Sequence, residues 1–174
     1  MRLTILMILT LLISSCRGNQ KKFQENNSVV ISDTIPKAKF QLLNFMAEGK
    51  PSMALINSEY ESFDSKSKYP LSVFITVKSI DKTKEGHPTA KEVIEFNHIE
   101  SEILRKTSEM SLCYVGNTTM NGYRDIIFYL NPSDKNTFDS IIKEIKNNNL
   151  RVTDYTFEID PEWEAVSEFY EALK

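Results

Sequence analysis

Missing from the 174-residue sequence are the short signatures that announce common chemistries: a Gly-x-Ser-x-Gly elbow, a P-loop, a dinucleotide fingerprint and a closely spaced cysteine pair. Their absence removes the sequence basis for a serine hydrolase, a nucleotide-dependent enzyme or a dithiol redox centre. Basic residues are not in excess either. The net charge is −3 with no basic stripe, which sets nucleic acid aside as a partner, because phosphates reward clustered Lys and Arg. No apolar run reaches the roughly 20 residues that a membrane-crossing helix needs. Histidine occurs only at His87 and His98. Carboxylates are plentiful, yet no pair separates itself as acid and base without geometry. Hydrophobic content of 41% and charged content of 26% are those of an ordinary globular domain.

The amino terminus has more to say. Arg2 forms a short basic region, Leu3 to Ile13 an apolar one, and Ser14 and Ser15 are small residues where a signal peptidase cuts. Ile13-Ser14-Ser15-Cys16 resembles the lipobox of bacterial lipoproteins. That resemblance implies a diacylglycerol on the Cys16 sulfur, cleavage before it and often acylation of the new amine. Each buried methylene is worth about 0.8 kcal/mol, so two or three chains make a stable anchor where one is marginal. Plain secretion with Cys16 as a free or disulfide-bonded thiol is the alternative. Arg17 stands where enterobacterial inner-membrane lipoproteins tend to have Asp, so the resemblance points to the outer membrane, facing the periplasm. The expected organisation is a signal peptide over 1–15, a polar tether over 16–38 with one apolar trio at Val29 to Ile31, and a single domain over 39–174. A flexible tether of that length has an r.m.s. span of roughly 25 Å.

Inside the domain, Phe40 to Ala47 and Ser52 to Asn57 flank the turn signal Glu48-Gly49-Lys50-Pro51 and predict a hairpin. Tyr60 to Lys68 reads as polar and turn-like. Pro70 to Lys78 alternates as a strand. Thr89-Ala90-Lys91-Glu92 fits a capping box, opening a helix to about Lys106 with Val93, Phe96 and Ile103 along its stripe. Ser111 to Leu130 reads as two strands joined by a loop that holds Gly116, Asn117, Asn121 and Gly122. A second helix opens at Ser133 or Asp134, carries Phe138, Ile141, Ile142 and Ile145 on one side, and stops at Asn147-Asn148-Asn149. Tyr155, Phe157 and Ile159 make a last strand. Asp160 as N-cap and Pro161 at the first helical position then predict a closing helix through Trp163, Val166, Tyr170 and Leu173. From Pro70 the order is strand, helix, strand, strand, helix, strand. The expected fold is therefore α+β: a ferredoxin-like split βαβ antiparallel sheet, extended by the N-terminal β-hairpin, with a C-terminal helix over an edge or end. Both crossover helices would share one face and leave aromatic residues on an uncovered face.

Few residues suggest a site. His98 has Glu95 and Glu102 at helical offsets, which suits a metal, but an acid-rich solvated face explains the same spacing. Cys113 reads as a buried, inert thiol. Tyr114, Arg124 and Tyr129 are the candidate ligand-facing residues; no catalytic, metal or cofactor-binding residue is assigned, and no cofactor is implied.

The run Glu48-Gly49-Lys50-Pro51, the run Tyr114-Val115-Gly116 with Thr118, Gly122 and Arg124, the Tyr129 strand end and Asp160-Pro161-x-Trp163 together resemble the bacterial domain-of-unknown-function family 695 over about residues 40 to 173. The resemblance implies the fold and no activity. Members of that family are sometimes fused or related to the regulator of ribonuclease activity B, but an exported chain cannot meet a cytoplasmic ribonuclease. The expectation is a lipid-anchored cell-envelope module that binds a protein or small ligand, with the membrane reached through Cys16. Its rivals are an envelope hydrolase using carboxylates, with Arg124 or Tyr114 lining its site, and a structural envelope component.

Overall fold

A computed structural model describes residues 34–174. The expected signal peptide, Cys16 and the expected tether up to residue 33, Val29 to Ile31 included, lie outside the described residues. Six strands follow one another as β1 (Phe40–Ala47), β2 (Lys50–Asn57), β3 (Leu71–Lys78), β4 (Leu112–Met120), β5 (Tyr123–Leu130) and β6 (Val152–Ile159). Helix α1 (Ala90–Lys106) lies between β3 and β4, α2 (Lys135–Asn148) between β5 and β6, and the short α3 (Ser167–Glu171) closes the chain. The strands form one open antiparallel sheet in the order β1-β2-β4-β5-β3-β6. Among the described residues, no helix is long and apolar enough to cross a membrane.

Two hairpins have the same kind of turn. Glu48 and Gly49 have φ of 54° and 73°, and Asn121 and Gly122 have 38° and 85°. Positive φ at both central residues is what lets a two-residue turn follow the right-handed twist of its strands. The loop expected from Gly116 to Gly122 is thus only Asn121-Gly122, and β4 continues through Gly116. There the β4–β5 register shifts between Tyr114 and Gly116, a bulge that puts Gly116 at φ 140° against β2, where a β-carbon would meet the Leu55 carbonyl oxygen at 1.9 Å. Only glycine lets the two backbones come that close.

Helices α1 and α2 bury Phe96, Ile99, Phe138 and Ile142 against Val73, Ile75, Ile126 and Phe128 on one sheet face. The opposite face is not the open aromatic surface expected. Tyr60 and Phe63 from the segment after β2, together with Trp163, Val166 and Tyr170, pack on Ile56, Cys113, Ile127 and Tyr129. The stretch Tyr60 to Lys68 looks polar in sequence because its few aromatic side chains are separated by polar residues, and yet those rings turn inward. The closing helix is also shorter than expected. Asp160 does act as a cap, with its carboxylate accepting from the Glu164 and Ala165 amides at 2.8 and 3.0 Å. Trp163, however, takes φ 60° and breaks the chain's path, so helix begins only after the indole has dropped into the core. The C-terminal segment covers a face of the sheet rather than an edge.

The predicted capping box is half formed. The Thr89 hydroxyl accepts from the Glu92 amide at 3.4 Å, but the Glu92 carboxylate turns away from Thr89. It accepts from the Ile80 amide at 3.1 Å and from Arg151 Nε and Nη2 at 3.2 and 3.1 Å. Glu92 therefore ties the start of α1 to the loop after β3 and to the entry of β6. The Arg151 guanidinium, helped by the Ile80 amide, holds this 1% exposed carboxyl below its ordinary value. A depressed folded-state value means that the contribution is complete above the unfolded carboxyl range near pH 4.3 and lost as pH falls through the folded value. The stability gap between wild type and Glu92→Gln should be constant from neutral pH to about 5 and shrink in stronger acid; urea titrations across that range check it.

Candidate functional site

Two of the three candidate ligand-facing residues meet under α1. Arg124 lies on the helix-covered face of β5 and is 7% exposed. Its Nη1 donates to Glu100 Oε2 at 2.9 Å and to Asn97 Oδ1 at 2.8 Å, its Nε to Thr119 Oγ1 at 3.3 Å, and its guanidinium sits 5.3 Å from the centre of the Phe96 ring. The Tyr114 hydroxyl donates to Glu100 Oε1, and Asn117 Nδ2 lies 3.1 Å from each Glu100 oxygen. Tyr114 and Asn117 are three apart in a strand and should face opposite ways. The bulge at Gly116 resets the alternation and brings both under α1, while Asn97 and Glu100, one helical turn apart, meet them from above.

The chemistry of this cluster is that of a satisfied network. Three side chains donate to the Glu100 carboxylate, which leaves it a poor candidate for a free general base. Burial and then the Glu100 charge push the Tyr114 phenol well above its ordinary value, so it stays protonated and donates. The ion pair is recessed, with side-chain exposures of 9% for Arg124 and 14% for Glu100. Its role on this geometry is to clamp α1 onto β4 and β5. Arg124→Met should cost about 2 kcal/mol, the scale for losing hydrogen bonds to a charged group, read from urea unfolding.

Tyr129 is not with them. It points to the opposite face, is fully buried, stacks on Trp163 with centroids 4.0 Å apart and donates to Asp160 Oδ2 at 2.5 Å. Burial alone would raise the Asp160 carboxyl, but the Tyr129 hydroxyl and the Ala165, Glu164 and Trp163 amides outweigh it and hold the group below its ordinary value. Cys113 is fully buried, and burial pushes its thiol up to about 12. His98 is exposed on α1, and among the described residues no group of three His, Cys, Asp or Glu is placed to hold a metal.

A different feature stands out on the surface. The side of β1–β2 that shares a face with α1 is marked by Asn117, which pairs with Leu55 and reaches Glu100 on the helix. The helices do not extend over the hairpin. Phe40, Leu42, Met46, Met53 and Leu55, on that face, are between 37 and 65% exposed, against the habit of soluble proteins to scatter such residues singly. A shallow groove of about 430 Å³ at the hairpin's tip is lined by Met46, Pro51, Met53 and His87 among others. A sequence signal for this surface exists. In FQLLNFMA both alternate sets are largely apolar, whereas a strand with one solvated face should have one polar set.

Compared with known proteins, residues 40–170 match the model of a family of unknown function, DUF695. No curated protein and no solved structure matches the chain.

Proposed function

We propose, for a chain that belongs to the DUF695 family of unknown function, a role as a non-catalytic binding module of the bacterial cell envelope. It is anchored by lipid on Cys16 and uses the helix-side face of β1–β2 as its contact surface for a protein. The observation that carries this reading is the exposed apolar row Phe40, Leu42, Met46, Met53 and Leu55 on one face of two adjacent strands. Large apolar side chains displayed together lose free energy to water until a partner covers them, at about 25 cal/mol per Å². Arg124 and Glu100, which this face reaches through Asn117, are already paired with each other, which favours binding over acid–base chemistry. The strands β4-β5-β3-β6, with α1 and α2 as the two connections between parallel, non-adjacent strands, support a ferredoxin-like core to which β1–β2 is the addition.

A photoreactive residue in place of Met53, in the full chain in its own membranes, should yield a covalent protein adduct on irradiation. Failure to form any adduct there and at Leu42 overturns the reading. The anchor has its own check: Cys16→Ala should release the protein from the membrane or leave its precursor uncleaved, and a mature, membrane-bound mutant would refute lipidation.

A further inference from the structure

We infer that the partner at this hairpin is a second copy of the same chain, joined edge to edge through antiparallel pairing of β1 with β1, so that two sheets become one. The inference rests on the reading above and specifies its occupant for the β1 part of the row: Phe40, Leu42 and Met46 of each copy meet side chains of the other across the seam, while Met53 and Leu55 on β2 stay open.

The edge comes first. β1 is outermost in the sheet, and among the described residues no strand pairs with its outer side. Exposed edges are normally blunted by charged residues, proline or bulges. β6, at the other edge, carries Asp154 and Glu158. β1 reads FQLLNFMA, with no charge and no proline over eight residues, and pairs with β2 without a register shift. It keeps nothing that would turn another strand away.

Its backbone is poised for pairing. The Ser58 amide donates to the Lys39 carbonyl at 2.9 Å, so residue 39 points its backbone groups at β2. By the alternation of an antiparallel ladder, 41, 43, 45 and 47 do the same, while Phe40, Leu42, Asn44 and Met46 aim theirs at solvent. Opposed residues in such a pair must be of the same class, which allows a two-fold axis at Leu43. That register sets Phe40 against Met46 of the second copy and leaves only apolar or amide side chains between 40 and 47.

The charges sit where this arrangement needs them. Lys37 and Lys39 are exposed at one end of β1 and Glu48 at the other. Antiparallel pairing about Leu43 places Glu48 of each copy opposite residue 38 of the other, between the two lysines. Parallel pairing would put like charges together, so the ends select the antiparallel form.

Two cysteine variants of the full chain in membranes test this. At a non-hydrogen-bonded pair the α-carbons lie within disulfide range, so Leu43→Cys should oxidise to a species of twice the chain mass. Ile159→Cys, on the exposed end of β6, should not, and neither should wild type, whose Cys113 is buried and whose Cys16 sulfur is acylated on the reading above. Asn44→Pro removes an amide that faces away from β2. Combined with Leu43→Cys it should abolish the crosslink, and Leu42→Lys should do likewise through charge, each with an unchanged circular dichroism melt. The inference is overturned if Leu43→Cys gives no dimer, if Ile159→Cys dimerises equally, or if neither Asn44→Pro nor Leu42→Lys lowers the yield while folding is intact. A Met53 photoadduct of another mass, without a Leu43→Cys dimer, would overturn the second copy and leave the binding reading standing.

Discussion

Trp163→Ala should lower the free energy of unfolding by about 3–5 kcal/mol, the range for deleting a large buried aromatic side chain. Trp163 is 1% exposed. It stacks on Tyr129 with an interplanar angle of 16°, meets Tyr60 and Phe63 edge-on, and carries Lys66 Nζ 5.8 Å from its ring centre. Its indole N–H donates to the carbonyls of Tyr69 and Lys66 at 3.1 and 3.3 Å, so truncation also strips partners from the segment after β2. The variant would lose the cover of a whole sheet face. Urea unfolding followed by far-ultraviolet circular dichroism, which does not depend on the deleted chromophore, measures the loss. Tyr129→Phe, which keeps the stack and drops only the bond to Asp160, should cost about 1 kcal/mol. If the two variants cost the same, the stacking account is wrong.

Gly116→Val should be at least as damaging at the other end of the sheet. A β-carbon at Gly116 would sit 1.9 Å from the Leu55 carbonyl oxygen and 2.9 Å from its carbon, both backbone atoms. No rotamer change relieves that contact. Either β2 moves off β4 or β4 abandons its bulge, and the φ of 140° is itself strained for any side chain. The expected loss is about 3 kcal/mol or more from overpacking and strain together, with β1–β2 detaching first. Hydrogen exchange should show amides of the β2–β4 ladder exposed while those of β3 and β5 stay protected. Uniform loss of protection across the sheet would argue that the hairpin is not a separable unit.

Much of the architecture was legible in short-range pattern. The hairpin turn at Glu48-Gly49, the alternation of Leu71, Val73, Ile75 and Val77, and the stripe of α1 depend on neighbours a few residues away, and the elements lie where those patterns put them. What failed depends on distant partners. Gly116 looks like a loop glycine because the carbonyl that requires it belongs to Leu55. Glu92 looks like a capping residue because Arg151, its partner, is 59 positions away. Trp163 fits a helical spacing, and only the waiting surface of Tyr129 bends its backbone into the left-handed region. Tyr114, Arg124 and Tyr129 stand out in sequence as aromatic and charged residues on strands, but the shared carboxylate on Glu100 and the separation of Tyr129 onto the opposite face are set by the sheet.

β3 is an inner strand, between β5 and the edge strand β6, and pairs Val73 with both Phe128 and Phe157. During synthesis from the amino terminus, this strand emerges well before either neighbour exists, and the last of them lies near the end of the chain. Loop closure over such separations is slow relative to local helix formation. Refolding should therefore be limited by the arrival of β6, with α1 and the β4–β5 hairpin forming earlier, and a nascent chain stalled before residue 152 would display the unpaired backbone edge of β3 to whatever holdase accompanies it.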